Sequence, residues 1–436
     1  MNLALLRALR TVIRADSDPA RQALFATLMR SSVGVRLVCG LHARLGPTSA
    51  ALLVSCYGLL ACLRVAAPRA YNARVIAIAG HENARRQVME TIAWIGAANC
   101  GWMRTTVTPT SVVTVFAVAA PTGRLRRAFR IVKRLDRRHG FLVACRAAGA
   151  LAWYARARGI LDARRPGAVL VSSDSNPEEV GMVAAARGLA IPQVFVSHAY
   201  PTPFSPSLDF TLSILEGEAA VEARKRKGPI RGAVLLAGLG GESTPLDPVR
   251  FVRPRPVIGI FTPKAISWPT LAATVDDCRR HFDARQVIIR WHPSMLEAVR
   301  LADVLDDLSR VVESPRHAAL VDVAKQCDWV VADQNSNVHL PVLKLGIPTV
   351  AVRRLGLYPE SRADMYGFAA DGIVFPPVDS IRDVRTEAFV AFFADWPARF
   401  RRYDASYLQS RACVAEEVHR AVWALLEPAA ATVSRV

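Results

Sequence analysis

Three stretches place side chains suited to anion chemistry directly after short apolar, β-branched runs. Val257–Phe261 is followed by Thr262-Pro263-Lys264, and the run ending at Arg290 continues as Trp291-His292-Pro293-Ser294. A third run opens onto Asp333-Gln334-Asn335-Ser336-Asn337. Arg290 and His292 are two apart, so on a strand they share a face. The arginine offers a fixed fork to phosphate or carboxylate, and the histidine can donate to a departing phosphate. Asn335, Ser336 and Asn337 precede a short helix with Pro341 in its first turn. A Ser or Asn cap there, with backbone N–H groups beyond it, can receive an anion. Thr262, Lys264, Arg290, His292, Pro293, Asn335, Ser336 and Asn337 form the candidate anion-binding set. The competing reading is ordinary strand-end turns and a plain helix cap. In the first half, His198 follows the run Ile191–Val196 and could take a proton from a hydroxyl as general base. Asp174, after Ala168–Ser173, is a second base candidate, with Asp209 and Glu216 behind it.

The elements that must position these groups alternate in type. Helical patterns lie between the apolar runs, the signature of βαβ units and a parallel sheet, and such sheets bind ligands at the carboxyl ends of their strands. Strands are expected at Arg74–Gly80, Thr105–Ala119, Ala168–Ser173, Ile191–Val196, Leu208–Leu215 and Gly372–Phe375, with two helices over Thr386–Leu426. Asn176-Pro177-Glu178-Glu179 opens a helix with a cap residue, a first-turn proline and acids at the positive end of the dipole. At 436 residues two domains are the default. The Gly/Pro-rich stretch Gly240–Pro256 marks the boundary. The expected division is 1–70 helical, 71–245 first α/β domain, 246–256 linker, 257–400 second α/β domain, and 401–436 a helix crossing back.

Composition narrows the function classes. The hydrophobic share of 52% excludes a disordered chain, and the net charge of +19 favours anionic partners. Eight cysteines without a CxxC pair speak against a zinc site or a disulfide framework and for a reducing compartment. Arg124–Arg138 holds eight Arg or Lys residues with one aromatic, Phe129, which fits a solvated helix or an acceptor or membrane groove better than a nucleic-acid platform. Residues 1–18 are amphipathic and basic without a cleavable signal pattern. The run Ala50–Leu63 has 14 residues, too few to span a bilayer. Both fit packed helices or a basic interfacial segment on anionic lipid. Walker, GxGxxG, GxSxG and HExxH patterns are missing, so common NTPases, Rossmann oxidoreductases, serine hydrolases and zincins lack support.

Two α/β halves, a strand-end His-Pro and a Ser/Asn turn before a helix ending in Gly346-Ile347-Pro348 together resemble GT-B glycosyltransferases of bacterial surface polysaccharide synthesis. The likeness covers residues 165–375 and is nearest to enzymes using cytidine-linked donors: capsule Kdo transferases, bacterial sialyltransferases and CDP-glycerol glycerophosphotransferases. It implies an α/β GT-B fold, two Rossmann-like domains facing a cleft, here with a helical N-terminal segment. It sets His292 and Pro293 beside a donor phosphate and Asn335, Ser336 and Asn337 on the phosphate or nucleotide. It also implies a catalytic role for His198 in an HGT-like turn, with Ala199 where that turn carries Gly. Asp174 stands in for the carboxylate base of the sialyltransferases. The implied activity is metal-independent, cofactor-free transfer of a sugar from a CMP-linked donor to a surface polysaccharide or lipid-linked glycan. The implied location is cytoplasmic, peripheral on the inner face of the cytoplasmic membrane. A CDP-glycerol-type polyol phosphotransferase and a non-enzymatic polyanion-binding protein are the alternatives, and nucleic acid is not expected as a partner.

Overall fold

The computed structural model describes residues 3–16, 33–63, 73–80, 82–103, 122–202, 205–293, 295, 300–315, 318–357 and 364–427. Two compact units emerge. The first comprises Met1–Glu216, Ala220–Ala237 and Ala412–Val436; the second comprises Gly217–Ala219 and Gly238–Arg411. The division therefore falls after Ala237, ahead of the 246–256 stretch chosen from glycine and proline content.

The first unit is built on strands β1 (Val75–Ile78), β2 (Cys100–Trp102), β3 (Ala168–Val171), β4 (Gln193–Val196), β5 (Asp209–Leu215) and β6 (Arg231–Leu236). They form one parallel sheet in the order β2-β1-β3-β4-β5-β6. The second unit carries β7 (Val257–Phe261), β8 (Gln286–Arg290), β9 (Val311–Glu313), β10 (Trp329–Asp333) and β11 (Thr349–Val352), parallel in the order β11-β10-β7-β8-β9. Central strands such as Val75–Ile78, Ala168–Val171 and Trp329–Asp333 are buried along their whole length. A parallel strand covered on both faces has no solvent side to reward alternation, which explains the continuous apolar runs. The chain is thus α/β, two Rossmann-like units with a helical N-terminal segment. In each sheet the winding reverses once, between β1 and β3 and between β7 and β10. Such switch points open crevices at the carboxyl ends of the flanking strands.

The helix Arg411–Leu426 packs in the first unit. Val414, Val418, Val422 and Leu426 repeat every four residues, and this stripe is buried with Val75, Ala77, Ala168 and Leu170. At ~1.5–3 kcal/mol per buried aliphatic side chain, it is a substantial part of that core. The helix Leu3–Asp16 buries Leu9 and Val12 against Ala147, Ala150 and Val180. Its last residue, Asp16, is buried in an ion pair with Arg146 (2.6 Å), which also donates to the Ser175 carbonyl (3.0 Å). The amphipathic face of this helix is therefore covered by protein. Among the described residues no helix is long and apolar enough to cross a membrane.

Several local expectations change. Gly372–Phe375 is a turn, not a strand: Gly372 has φ +67°, and the amides of Ile373 and Val374 both donate to the Phe368 carbonyl. Thr386–Leu426 holds three helices, Thr386–Phe392, Trp396–Arg401 and Arg411–Leu426, because Asp395-Trp396-Pro397 starts a new one. The strands β2, β6 and β9 were not anticipated. Ser294 and the strand expected over Thr105–Ala119 lie outside the described residues.

Candidate functional site

In the first unit the carboxyl ends of β3 and β4 bring His198 to Ser172. The imidazole Nδ1 lies 2.5 Å from the Ser172 carbonyl oxygen and 3.2 Å from its Oγ. A carbonyl can only accept, so Nδ1 carries the proton and Nε2 is the basic nitrogen. Burial pushes the His198 pKa down, against the opposing pull of the Ser172 carbonyl and Asp174, so the ring is neutral at pH 7. That is the protonation state and tautomer a general base requires.

Asp174 is placed differently. Its carboxylate pairs with the guanidinium of Arg224, whose Nη1 also donates to the Pro206 carbonyl (2.8 Å). Arg224 is 3% exposed, and its Cζ lies 5.5 Å from the centre of the Phe195 ring. The Asp174 carboxylate is therefore engaged with a buried cation. Asp209 opens β5, at the amino ends of the strands and so at the opposite end of the sheet from His198, and pairs with Arg187 (3.1 Å). Glu216 is buried where β5 ends.

A buried acid that the sequence reading passed over stands at the β1/β3 switch point. Glu179, third residue of the helix Pro177–Arg187, is fully buried, and its Oε1 accepts from the Gly80 amide (3.0 Å). Its other oxygen has no hydrogen-bond partner among the described residues. The helix dipole at this position would hold a carboxylate ionised, at ~0.3–1 kcal/mol for a surface site. Burial wins: the pKa is pushed up to about 8 despite the hydrogen bonds from Gly80 and Ser173. Glu179 is therefore a neutral acid at pH 7.

Beside these groups runs a groove with about 490 Å³ of empty space, part of it open to solvent. It is lined by Ser173, Asp174, Arg187 and Asp209, by the apolar Val180, Val183, Ala184 and Phe210, and by Arg7 and Thr11.

In the second unit, Thr262 ties two strand ends together. Its amide donates to the Arg290 carbonyl (3.0 Å), and its Oγ1 accepts from the His292 amide (3.0 Å). Arg290 is 8% exposed, with Cζ 5.5 Å from the Phe261 ring centre and Nη2 3.5 Å from the Ala318 carbonyl. It supplies a buried positive charge rather than an open fork. His292 lies past the end of β8, and burial with the charges of Lys264 and Arg290 lowers its pKa to about 4. Lys264, Arg290 and His292 are thus close enough to repel a proton collectively, the condition an incoming anion relieves. Pro293 is exposed beside them.

The Asn335–Asn337 turn is built from Asp333. The Asp333 carboxylate accepts from the amides of Asn335 (2.9 Å) and Gly356 (2.6 Å), and burial raises its pKa. Asn335 Oδ1 accepts from the Met365 amide (2.8 Å), so this side chain closes a loop. Ser336 Oγ accepts from the Val338 amide (3.3 Å) inside the turn, and the helix begins only at His339, with no side-chain cap. The expected Ser or Asn cap is therefore replaced by a turn. Asn337 Oδ1 is buried with no hydrogen-bond partner among the described residues. His339, also unanticipated, is fully buried: Nε2 donates to the Asp333 carbonyl (3.0 Å) and Nδ1 accepts from Thr349 Oγ1 (2.9 Å). Among the described residues no cluster of His, Cys, Asp or Glu has the makeup of a metal site.

No protein-family model matches the sequence, and no curated protein matches it. Solved structures do match in shape. A Neisseria meningitidis UDP-GlcNAc 2-epimerase bound to UDP-GlcNAc aligns over 81% of this chain and 100% of its own, with 12% identity and TM-score 0.45. The glycosyltransferase of kitacinnamycin aligns over 81% and 98%, with 13% identity and TM-score 0.46. The calicheamicin glycosyltransferase CalG4 aligns over 82% and 98%, with 12% identity and TM-score 0.45. Likeness at this level bears on neither substrate nor chemistry.

Proposed function

We propose that the chain is a glycosyltransferase that moves a sugar from a nucleotide-activated, CMP-linked donor to a surface polysaccharide or lipid-linked glycan. The observation that carries this reading is the cationic strand end of the second unit. There Lys264, Arg290 and a neutral His292 stand together past the ends of β7 and β8, near the β7/β10 switch point. Departing nucleotide phosphate is where negative charge grows in such a transfer, and fixed cations at that point lower the barrier without a metal. Asn337 Oδ1 supplies an acceptor for a ribose hydroxyl or a base N–H. In the first unit His198 serves as base for the acceptor hydroxyl, in preference to Asp174, whose carboxylate is committed to Arg224. The apolar wall of Val180, Val183, Ala184 and Phe210 suits the aliphatic part of a lipid-linked acceptor. The cytidine assignment rests on the His-Pro resemblance.

One observation favours a second reading. With His198 oriented and Asp174 paired, the base is a histidine, which suits transfer of a polyol phosphate from a CDP-linked donor equally well. Thermal-shift titration with CMP, CDP, UMP, UDP, GDP and ADP, repeated on His292→Ala, tests the donor site. Stabilisation by CMP or CDP that vanishes in the variant is expected. Selective response to UDP or GDP overturns the cytidine assignment. Silence toward every nucleotide, from folded protein, overturns the transferase reading.

A further inference from the structure

We propose that the helix Val33–Arg44 is a docking face for an anionic lipid bilayer. Leu37, Val38 and Leu41 are 69%, 43% and 52% exposed, and Leu52 on the following helix Pro47–Leu63 is 58% exposed. At about 100° per residue, positions 37, 38 and 41 share an arc of about 100° on the helix surface. The flank next to Val38 is anchored to the protein, since His42 follows Val38 by about 40° around the helix. His42 Nε2 lies 3.0 Å from Asp136 Oδ2, and its ring packs on Phe141 at 4.4 Å between centroids. The apolar arc beside that anchor is left open to solvent. Helix Leu3–Asp16 gives the contrast, since its Leu9 and Val12 are already buried.

Charge identifies the occupant. Arg36 and Arg44 are exposed on the same helix, and the His42–Asp136 contact brings in the basic helix Thr122–His139, where Arg130, Arg137 and Arg138 are exposed. Residues 1–80 contain ten arginines and two acids, Asp16 and Asp18, and Asp16 is spent on Arg146. Leucines rimmed by arginines fit the boundary between anionic headgroups and acyl chains. A second copy of this face would bring like charges together, which argues against self-association. The inference does not depend on the transfer reading.

The test is sedimentation of the full chain with vesicles of phosphatidylcholine alone and with about 30% phosphatidylglycerol. Binding to the anionic vesicles is expected, weakened when salt rises from about 0.1 M to about 1 M. The double variant Leu37→Asp, Leu41→Asp should bind at least about tenfold more weakly. Because both side chains are half exposed or more, the variant is expected to keep the wild-type melting temperature. Hydrogen exchange on the wild type decides the matter independently of any variant: vesicles should slow exchange in 36–44. Absence of vesicle binding, equal binding by the double variant, or unchanged exchange in 36–44 overturns the proposal. So does a wild-type dimer that the double variant converts to monomer.

Discussion

Glu179→Gln should stabilise the protein, and by an amount that depends on pH in a defined direction. In the folded chain the Glu179 carboxyl titrates at about 8, against an unperturbed 4.5. A raised carboxyl pKa means that folding retains a proton the unfolded chain releases. The wild type therefore suffers no penalty below pH 4.5 and loses stability steadily as pH rises toward 8. At ~1.4 kcal/mol per pH unit, the cost at pH 7 is on the order of 3 kcal/mol. Glutamine has nearly the same shape, keeps an oxygen for the Gly80 amide, and never ionises. Its NH₂ falls where the second carboxyl oxygen now lacks a partner. The variant should match the wild type near pH 4.5 and exceed it by on the order of 3 kcal/mol at pH 7, a melting shift of about 3–6 °C. Differential scanning calorimetry of both proteins between pH 4.5 and 8.5 reads this directly. A gap that is constant with pH, or that widens toward acid, would refute the assignment of a neutral Glu179.

Other substitutions separate chemistry from structure. His198→Ala should lower turnover by about 10²–10⁴ while leaving nucleotide-induced stabilisation intact, as measured by initial rates and thermal shift. Asp174→Asn should act the other way, costing ~3–5 kcal/mol in urea unfolding because Arg224 is left buried and unpaired, with a smaller loss of turnover. Nucleotide affinity should rise as pH falls from neutral. A bound phosphate favours imidazolium at His292 and lifts its pKa from about 4, so binding takes up a proton. Calorimetric titration in buffers of different ionisation enthalpy would show that uptake, and its absence in His292→Ala would assign it. Gly181→Ala should destabilise by ~1–3 kcal/mol despite better helix propensity. The new Cβ would stand 2.7 Å from the Ala150 carbonyl oxygen and 2.9 Å from the Tyr154 amide nitrogen, backbone atoms that cannot turn aside. Urea unfolding of the variant checks this.

What could be read from the sequence depended on whether a residue's role is set by its neighbours in the chain or by distant ones. The buried strands were legible because apolar runs such as Val257–Phe261 and Trp329–Asp333 have no solvent face to interrupt them. The strands β2 and β9 have three residues each, too short to show a pattern, and edge strand β6 is largely exposed. The polar groups at strand ends were also legible, since turns follow strands wherever the sheet is parallel. Their partners were not. Arg224-Lys225-Arg226-Lys227 reads as one solvated basic run, yet Arg224 alone turns inward, to a carboxylate fifty residues away. Glu179 carries the same signature as its exposed-looking neighbour in Asn-Pro-Glu-Glu. Only the approach of Gly80 and the enclosure around it convert a helix-start acid into a buried neutral one. Asn335 looked like a cap, and the Met365 amide, thirty residues on, makes it a loop clamp. The two base candidates of the first unit are told apart by the same kind of distant contact. His198 and Asp174 are equivalent candidates by type and strand-end position. The Ser172 carbonyl fixes the proton on one side of the His198 ring, while Arg224 commits the Asp174 carboxylate. Two contacts across the sheet, neither encoded in local spacing, set the two groups apart.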